Sequence, residues 1–192
     1  MSDPCPTEVV WHVRPLAAPQ LLRHCPACAT TRAHVSCDRF RVNAQQRRLD
    51  VWLLYRCVAC AGTWKRSVLR RVPRDAIALD VLERFLRDDP AAALAAAFAP
   101  APGLERVPAS VVAVERPPVD GRPLLVRLTV PWPCGVRLDR VLAAELGCAR
   151  ERLVRCVRAG EVQVDPGGER ALRRPPRDGT RVLLPRGWPP SG

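Results

Sequence analysis

Two cysteine pairs of the same form constrain the fold of this chain more than any other feature of its sequence. Cys25 and Cys28 enclose a Pro-Ala dipeptide, and Cys57 and Cys60 enclose Val-Ala, so each pair places two thiols on one tight turn. When two such turns meet, their four sulfurs can surround one point about 2.3 Å away, which is the tetrahedral geometry that zinc requires. The pattern therefore predicts a structural Zn²⁺ ion with Cys25, Cys28, Cys57 and Cys60 as its ligands.

Two other uses of the paired thiols stay open: a redox-active dithiol and disulfide bonds. A thioredoxin-type dithiol needs one pair between a strand and a helix, and no helical pattern follows either pair. Three further residues are available as substitute metal ligands, although an ordinary place in a strand or loop explains each of them as well: Cys37, His24 and His34. A site closed by four cysteines builds a fold and performs no chemistry.

The 28 residues between the two pairs have the pattern of a β-hairpin that returns the second turn to the first. Residues 39–44 and 49–56 are strand-like, and a polar turn lies between them. Residues 62–69 alternate and predict a third strand. Two cysteine knuckles on three antiparallel strands make a zinc ribbon. In so small a sheet, the side chains expected to pack around the metal turns are Trp52, Leu54 and Trp64.

The same strands carry a resemblance to a known family. Phe40-Arg41-Val42-Asn43-Ala44-Gln45, then Leu49-Asp50-Val51-Trp52-Leu53-Leu54-Tyr55-Arg56-Cys57, then Thr63-Trp64 form an unusual string. It is similar to an uncharacterised bacterial family, the domain of unknown function 1062. The resemblance implies a start like a zinc ribbon, and the family has no assigned activity to transfer.

Two helices are predicted after the ribbon. The first opens near Asp75, and its apolar side chains recur at helical spacing. The second has Asp89 as its N-cap and Pro90 in its first position, and it runs through Phe98. Both are expected to pack on the ribbon. The apolar residues that define the first helix are Ile77, Val81, Leu82 and Phe85.

The middle of the chain is rich in proline and alanine. Residues 99–108 predict a linker or an extended cover. Residues 110–115 and 124–130 are strand-like and flank a turn at 117–121, so they predict a β-hairpin. The sequence leaves open whether this hairpin belongs to the first or the second domain.

A different pattern begins at Val136, with two short helices that end at Gly147 and Gly160. Strands are predicted at residues 161–164 and 181–184. The segment RLDRVLAAELGCARERLVRCVRAGEVQVD and this helix–helix–strand–strand order resemble the S-four-type RNA-binding domain. The resemblance implies that basic residues opening the first helix and along the second contact the RNA backbone; by position these are Arg137, Arg140, Arg150, Arg152, Arg155 and Arg158.

The charge of the chain is unevenly distributed. The formal net charge is +12; residues 1–71 hold 12 basic and 4 acidic groups, and residues 132–192 hold 12 and 7. Residues 72–131 are almost neutral, with 7 and 8. Positive charge confined to the two ends favours a polyanionic partner such as RNA. Three aromatic residues lie among the basic strands of the predicted ribbon, where they could stack on RNA bases or simply form the core of the ribbon: Trp52, Tyr55 and Trp64.

No catalytic motif is found: the chain has no Gly-rich phosphate loop, no Gly-x-Ser-x-Gly and no His-Glu-x-x-His, and no small-molecule substrate is indicated. An enzyme whose site arises between domains remains an alternative. The apolar run at residues 91–99 is too short to span a bilayer, no secretory signal is visible, and nine cysteines favour reduced thiols, so we expect a cytoplasmic protein.

The sequence thus predicts an α+β protein with three segments: a zinc-ribbon domain with its helices at 1–103, a linker and β-hairpin at 104–135, and an S-four-like RNA-binding module at 136–192. The predicted function is a non-catalytic, zinc-containing protein that binds RNA, with the ribosome or an acidic protein as further partners. The alternative is a protein-interaction or regulatory zinc-ribbon module that does not bind nucleic acid.

Overall fold

The computed structural model describes residues 6–45, 47–100, 105–107, 112–115 and 123–188. These residues form a mixed α+β structure with two five-stranded sheets. The chain divides into two compact units, and we name each by its composition. The cysteine unit is Ala17–Pro108, and the split unit combines Met1–Leu16 with Ala109–Gly192.

The elements follow one another along the chain with short connections. The strands are β1 (Thr7–Pro15), β2 (Gln20–Cys25), β3 (Thr30–Gln45), β4 (Arg48–Cys57), β5 (Thr63–Pro73), β6 (Glu105–Val107), β7 (Val112–Glu115), β8 (Leu124–Thr129), β9 (Gln163–Asp165) and β10 (Arg181–Leu184). The helices are α1 (Leu79–Leu86), α2 (Pro90–Phe98), α3 (Leu138–Glu145), α4 (Arg150–Arg158) and α5 (Gly168–Leu172), and a 3₁₀ turn spans Arg74–Ala76.

The sheet of the cysteine unit has the order β5-β4-β3-β2-β6, with every neighbouring pair antiparallel. The predicted hairpin of β3 and β4 and the third strand β5 are confirmed. Along β4 the buried positions alternate with half-exposed ones, because successive side chains of a strand point to opposite faces. Three of the buried side chains, Val51, Leu53 and Tyr55, pack against α1 and α2, and Leu49 is also buried.

The predicted core of this sheet needs a correction. Trp52 and Leu54 lie on the opposite face of β4 from the buried side chains, and both are half-exposed. Trp64 does contact the core, with its ring centroid 5.6 Å from that of Tyr55. The expectation chose the wrong face of β4: α1 and α2 cover the face that carries Val51, Leu53 and Tyr55, and this leaves Trp52 and Leu54 on the other face.

The two predicted helices are present and pack on the sheet. The first begins at Leu79 rather than near Asp75, since the chain first makes the 3₁₀ turn. Its buried Phe85 meets Phe40 of β3 with ring centroids 4.8 Å apart. In the second helix, the Asp89 carboxylate accepts a hydrogen bond of 2.7 Å from Ala92 N–H, as an N-cap does.

The segment predicted as a linker or cover contributes a strand. β6 pairs antiparallel with β2 and forms an edge of the cysteine-unit sheet. Residues 101–104 and 108–111, on either side of it, lie outside the described residues.

The predicted hairpin of the middle region is not formed. The strands β7 and β8 exist, but β1 lies between them, antiparallel to β7 and parallel to β8. Both strands belong to the split unit, which decides the question that the sequence left open. The predicted turn at 117–121 lies outside the described residues. Adjacent strand-like segments favour a hairpin, but a third strand from more than 100 residues away took the pairing position.

The sheet of the split unit has the order β7-β1-β8-β10-β9. The predicted helices α3 and α4 and the strands β9 and β10 are present, and α5 is an additional helix after β9. The hydrophobic core of this unit reaches beyond residues 136–192, because Trp11 and Val13 of β1 and Val126 and Leu128 of β8 are fully buried in it. Across the described residues, none of the helices has the length and apolar character needed to cross a membrane.

Candidate metal centre and arginine surface

The two cysteine pairs form the turns at one end of the cysteine-unit sheet. Cys25 ends β2 before the turn into β3, and Cys57 ends β4 before the turn into β5. Backbone hydrogen bonds close both turns, from Cys28 N–H to Cys25 C=O (3.2 Å) and from Ala61 N–H to Cys57 C=O (3.0 Å). The antiparallel pairing of β3 with β4, in which His34 is opposite Cys57, brings the turns side by side.

The four sulfur atoms converge as the sequence predicts. The Sγ atoms of Cys25, Cys28, Cys57 and Cys60 all lie within 4.8 Å of one another. The Cys25–Cys60 distance is 3.6 Å and the Cys28–Cys57 distance is 4.0 Å. Ligands 2.3 Å from a tetrahedral metal are separated by about 3.8 Å, so these distances fit one metal ion at the centre. All four are free thiols rather than disulfides.

The backbone around the sulfurs has a shared feature that the sequence prediction missed. The residue after each pair, Ala29 or Ala61, has a positive φ of 52° or 58°. The left-handed backbone conformation is energetically unfavourable for alanine, so the contacts of the surrounding turn must hold these residues in it. After the second pair, the Gly62 N–H donates to Cys60 Sγ at 3.4 Å, and a Cβ on Gly62 would lie 3.2 Å from that sulfur. The sequence feature that could have indicated these tight turns is the small residue after each pair, Ala29 after the first and Ala61-Gly62 after the second.

The surroundings separate the thiols by their pKa values. Backbone N–H groups of Cys60 and Ala59 hydrogen-bond to Cys57 and lower the pKa of its thiol to about 6. The pKa of the Cys28 thiol is raised to about 12, chiefly by its hydrogen bond with the Cys60 side chain. Four thiols this close cannot all ionise without a cation, whereas a divalent metal ion would favour the thiolate forms.

The substitute ligands lie outside the cluster. Among the residues that the structure describes, the group of potential metal ligands comprises the four cysteines, without His24, His34 or Cys37. His34 is a buried core residue whose Nδ1 lies 3.1 Å from the Arg32 carbonyl oxygen. The arrangement therefore supports a closed four-cysteine metal site that joins the two turns.

The six arginines predicted to contact RNA lie on α3 and α4 or at the start of α3, and ion pairing divides them. Arg137 pairs with the buried carboxylate of Asp139 (2.6 Å), and Arg158 makes two hydrogen bonds to Glu169 (2.8 and 3.1 Å). In the described parts of the chain, no carboxylate pairs with the remaining four: Arg140, Arg150, Arg152 and Arg155.

The helix α4 presents most of these unpaired arginines on its outer side. Leu153 is fully buried in the core of the split unit, while Arg150 and Arg155 are exposed and Arg152 is half-exposed. At about 100° per residue, Arg155 lies nearly opposite Leu153. This face can present guanidinium groups to an anion. Its positive charge is reduced by Glu151, which follows Arg150 in the sequence.

The aromatic residues of β4 and β5 have two different environments. Tyr55 is fully buried, so it forms core and cannot stack on a base. Trp52 is half-exposed, and Lys65 Nζ lies 5.9 Å from its ring centroid. The Arg23 guanidinium carbon lies 4.3 Å from the ring centroid of Trp64.

One family model matches the chain, and its description is protein of unknown function (DUF1062). The match covers residues 42–167, about two-thirds of the sequence, from within β3 to the turn after β9. It includes the second cysteine pair and the helices α3 and α4, whereas the first pair precedes it. No curated protein and no solved structure matches the chain.

Proposed function

We propose a function for a chain that belongs to the DUF1062 family of proteins of unknown function: it is a zinc-containing cytoplasmic protein that binds RNA and performs no catalysis. The cysteine unit would be held together by the metal, and the split unit would bind the RNA. The free thiols throughout the described residues support a reducing compartment.

The donor set supports zinc as the metal. Four thiolates at tetrahedral separations are the ligands of structural zinc, and soft sulfur donors disfavour magnesium, calcium and manganese. Two cysteine turns at one end of an antiparallel sheet also support the proposal of a zinc ribbon. Bound there, the ion would supply cross-linking of the turns and no reaction, because all four positions are taken by protein.

The unpaired arginines of α4 carry the RNA proposal. Arg150, Arg152 and Arg155 lack carboxylate partners in the described structure, and guanidinium groups that no acid neutralises are suited to phosphate. The order of α3, α4, β9 and β10 is consistent with an S-four-like module, in which this helix face is the expected contact. The ion pairs of Arg137 and Arg158 make these two weaker candidates than the sequence alone suggests.

A salt titration tests the proposal. The affinity of the zinc-loaded protein for a fluorescent single-stranded RNA should fall with salt by a slope of roughly 0.7 per phosphate contact. Replacing Arg152 and Arg155 with Ala should flatten the slope by about 1.5 and weaken all sequences alike. The matched control is R181A/R186A, which removes the same charge from two exposed arginines of the same unit.

The alternative, a protein-interaction module, is favoured by a different surface. A groove of about 290 Å³ between α1 and α2 is lined mainly by apolar side chains, including Val81 and Phe85. Two leucines of α1 are also well exposed, Leu79 at 67% and Leu86 at 62%. If the protein bound no structured or single-stranded RNA at low salt, this alternative would replace the RNA proposal.

A further inference from the structure

A small cavity in the split unit is surrounded by arginines that the predicted RNA surface does not include. Its volume is about 220 Å³, and it lies where α5 approaches the start of α3 and the loop before β10. Leu138 and Thr180 form part of its wall, and three arginines line it: Arg170, Arg174 and Arg177. A wider depression of about 770 Å³ shares Gly167, Arg170 and Arg174 with it.

Two acidic residues next to arginines of this cavity, Glu169 and Asp178, have hydrogen-bond partners elsewhere. Glu169 accepts hydrogen bonds from Arg158 and also pairs with Arg173 at 3.7 Å. Asp178 accepts a hydrogen bond of 2.8 Å from Val130 N–H. No carboxylate of the described structure pairs with Arg170, Arg174 or Arg177. Within the described residues, three guanidinium groups therefore line one cavity with no carboxylate ion-paired to them.

The spacing of the charged residues on α5 and directly after it adds a specific argument. Glu169 and Arg173 are four residues apart and attract, whereas Arg170 and Arg174 are four apart and repel. The helix ends at Leu172, but Arg173 keeps a right-handed helical conformation and the Arg174 N–H donates to the Ala171 carbonyl, so the chain makes one more tight turn and both arginines line the same cavity. Buried Leu172 anchors the helix to the core, which limits how far the two arginines can separate. An anion between them would relieve the repulsion.

We propose that Arg170, Arg174 and Arg177 form a phosphate-binding pocket that holds one backbone phosphate of the bound RNA. This inference rests on the proposed function and adds a contact site that is separate from α4. The volume is below the roughly 300–1,000 Å³ of typical small-molecule sites, so the cavity fits a group of a larger ligand or a small anion. Guanidinium groups bind phosphate through two parallel hydrogen bonds. Arg170 and Arg174 also line the wider depression, together with Glu169 and Arg173, so a phosphate held in the cavity can belong to a longer chain.

The test uses the full-length, zinc-loaded chain and two matched variants. R170A/R174A removes two pocket arginines, and R181A/R186A removes two exposed arginines that do not line the cavity. Affinity for a fluorescent single-stranded RNA is measured at salt concentrations from about 50 to about 200 mM, a range over which phosphate contacts dominate the change in affinity. Because the pocket holds one phosphate, the pocket variant should show a salt slope smaller by about 0.7 than the control variant. Equal slopes in the two variants would overturn the inference, whether or not α4 binds RNA.

A second probe separates this inference from the proposed function. Inorganic phosphate is titrated into each protein at constant ionic strength and followed by its ³¹P resonance. Broadening with the wild type and the control variant, but not with R170A/R174A, supports the pocket even if the protein binds no RNA. In that case the phosphate would come from a small molecule, and the RNA proposal would fail alone. No interaction of phosphate with the wild type, together with no RNA binding, would overturn the pocket.

Discussion

Single residues of the metal site have unequal roles although the sequence presents them as two equivalent pairs. Cys25 and Cys57 are buried where β2 and β4 end, Cys28 is half-exposed, and Cys60 is exposed. Cys57 accepts the backbone hydrogen bonds that lower the pKa of its thiol to about 6, which favours its thiolate form. Cys57 is thus a buried ligand at the end of β4, which makes it a suitable position for a test of the site.

We expect Cys57→Ser to lose the metal and to fold poorly, because the metal-binding free energy is part of the folding free energy of such a unit. Elemental analysis should return close to one zinc per wild-type chain and almost none for the variant. Cys37→Ser is the matched control, since Cys37 is a half-exposed thiol of the same sheet outside the cluster. A metal-free wild-type chain that unfolds cooperatively with its thiols reduced would contradict the prediction.

At the same scale, the Glu169 carboxylate should report its ion pair through pH. The hydrogen bond from Arg158 lowers the pKa of Glu169 below its ordinary value of 4.5. A lowered pKa means that the stability from this pair is present above the unfolded-state pKa and is lost as pH falls through the folded one. Arg158→Ala should raise the pKa of Glu169 in a ¹³C NMR titration. Arg155→Ala, one turn away and without a carboxylate partner among the described residues, should leave the pKa of Glu169 unchanged.

At the scale of elements, α2 is held at both ends by polar contacts to its own flank and to the sheet. Asp89 caps its N-terminus. At its C-terminus, the guanidinium of Arg66 from β5, only 3% exposed, donates to the carbonyls of Ala96 and Ala99. A cation at this end also interacts favourably with the helix dipole. Burial lowers the pKa of Arg66, so the charge is kept at a cost that these acceptors offset.

Arg66→Met should lower the free energy of unfolding by about 2 kcal/mol, the scale of hydrogen bonds to a charged group. Methionine keeps the apolar stem but leaves the last carbonyls of α2 without this donor. The matched control is Lys65→Met, on the exposed side of the same strand, where we expect a change within about 0.5 kcal/mol. Denaturant unfolding of the metal-loaded chains measures both. Equal effects of the two substitutions would show that Arg66 is not a specific link.

At the scale of the whole molecule, the cysteine unit interrupts the split unit in the sequence. β1 precedes residue 17, yet it lies between β7 and β8 and buries Trp11 and Val13 in the core of the C-terminal region. The cysteine unit, in contrast, is one continuous segment. The two units therefore depend differently on the integrity of the chain.

We expect a fragment of residues 17–108 to fold when zinc is supplied, whereas residues 109–192 should not fold alone. Without β1 the second fragment lacks a central strand and two of its buried side chains. Joining residues 1–16 to residue 109 through a flexible linker should restore a cooperative thermal transition. Circular dichroism and the dispersion of NMR amide resonances check each fragment. Folding of residues 109–192 by themselves would refute the assignment of β1 to that core.

Structural features that depend on residues close together in the chain could be predicted from the sequence. The Asp89-Pro90 start of α2 follows from hydrogen bonds made within a few residues, and the apolar spacing of α3 and α4 follows from one helical period. The four-cysteine cluster is similar: each pair builds its own turn, and one β3–β4 hairpin brings the pairs together. Such local constraints act wherever the segment lies in the fold.

Pairings between distant segments were decided by the tertiary structure alone. The place of β1 beside β8, more than 100 residues later, depends on competing strand pairings that no local pattern ranks. The same reason explains the arginines. Whether Arg158 is neutralised depends on Glu169 of another helix, and the cavity of Arg170, Arg174 and Arg177 depends on how α5 meets α3. The sequence determined which groups carry charge and sulfur; long-range packing decided which charges stay free, because ion pairing is a property of distance in space.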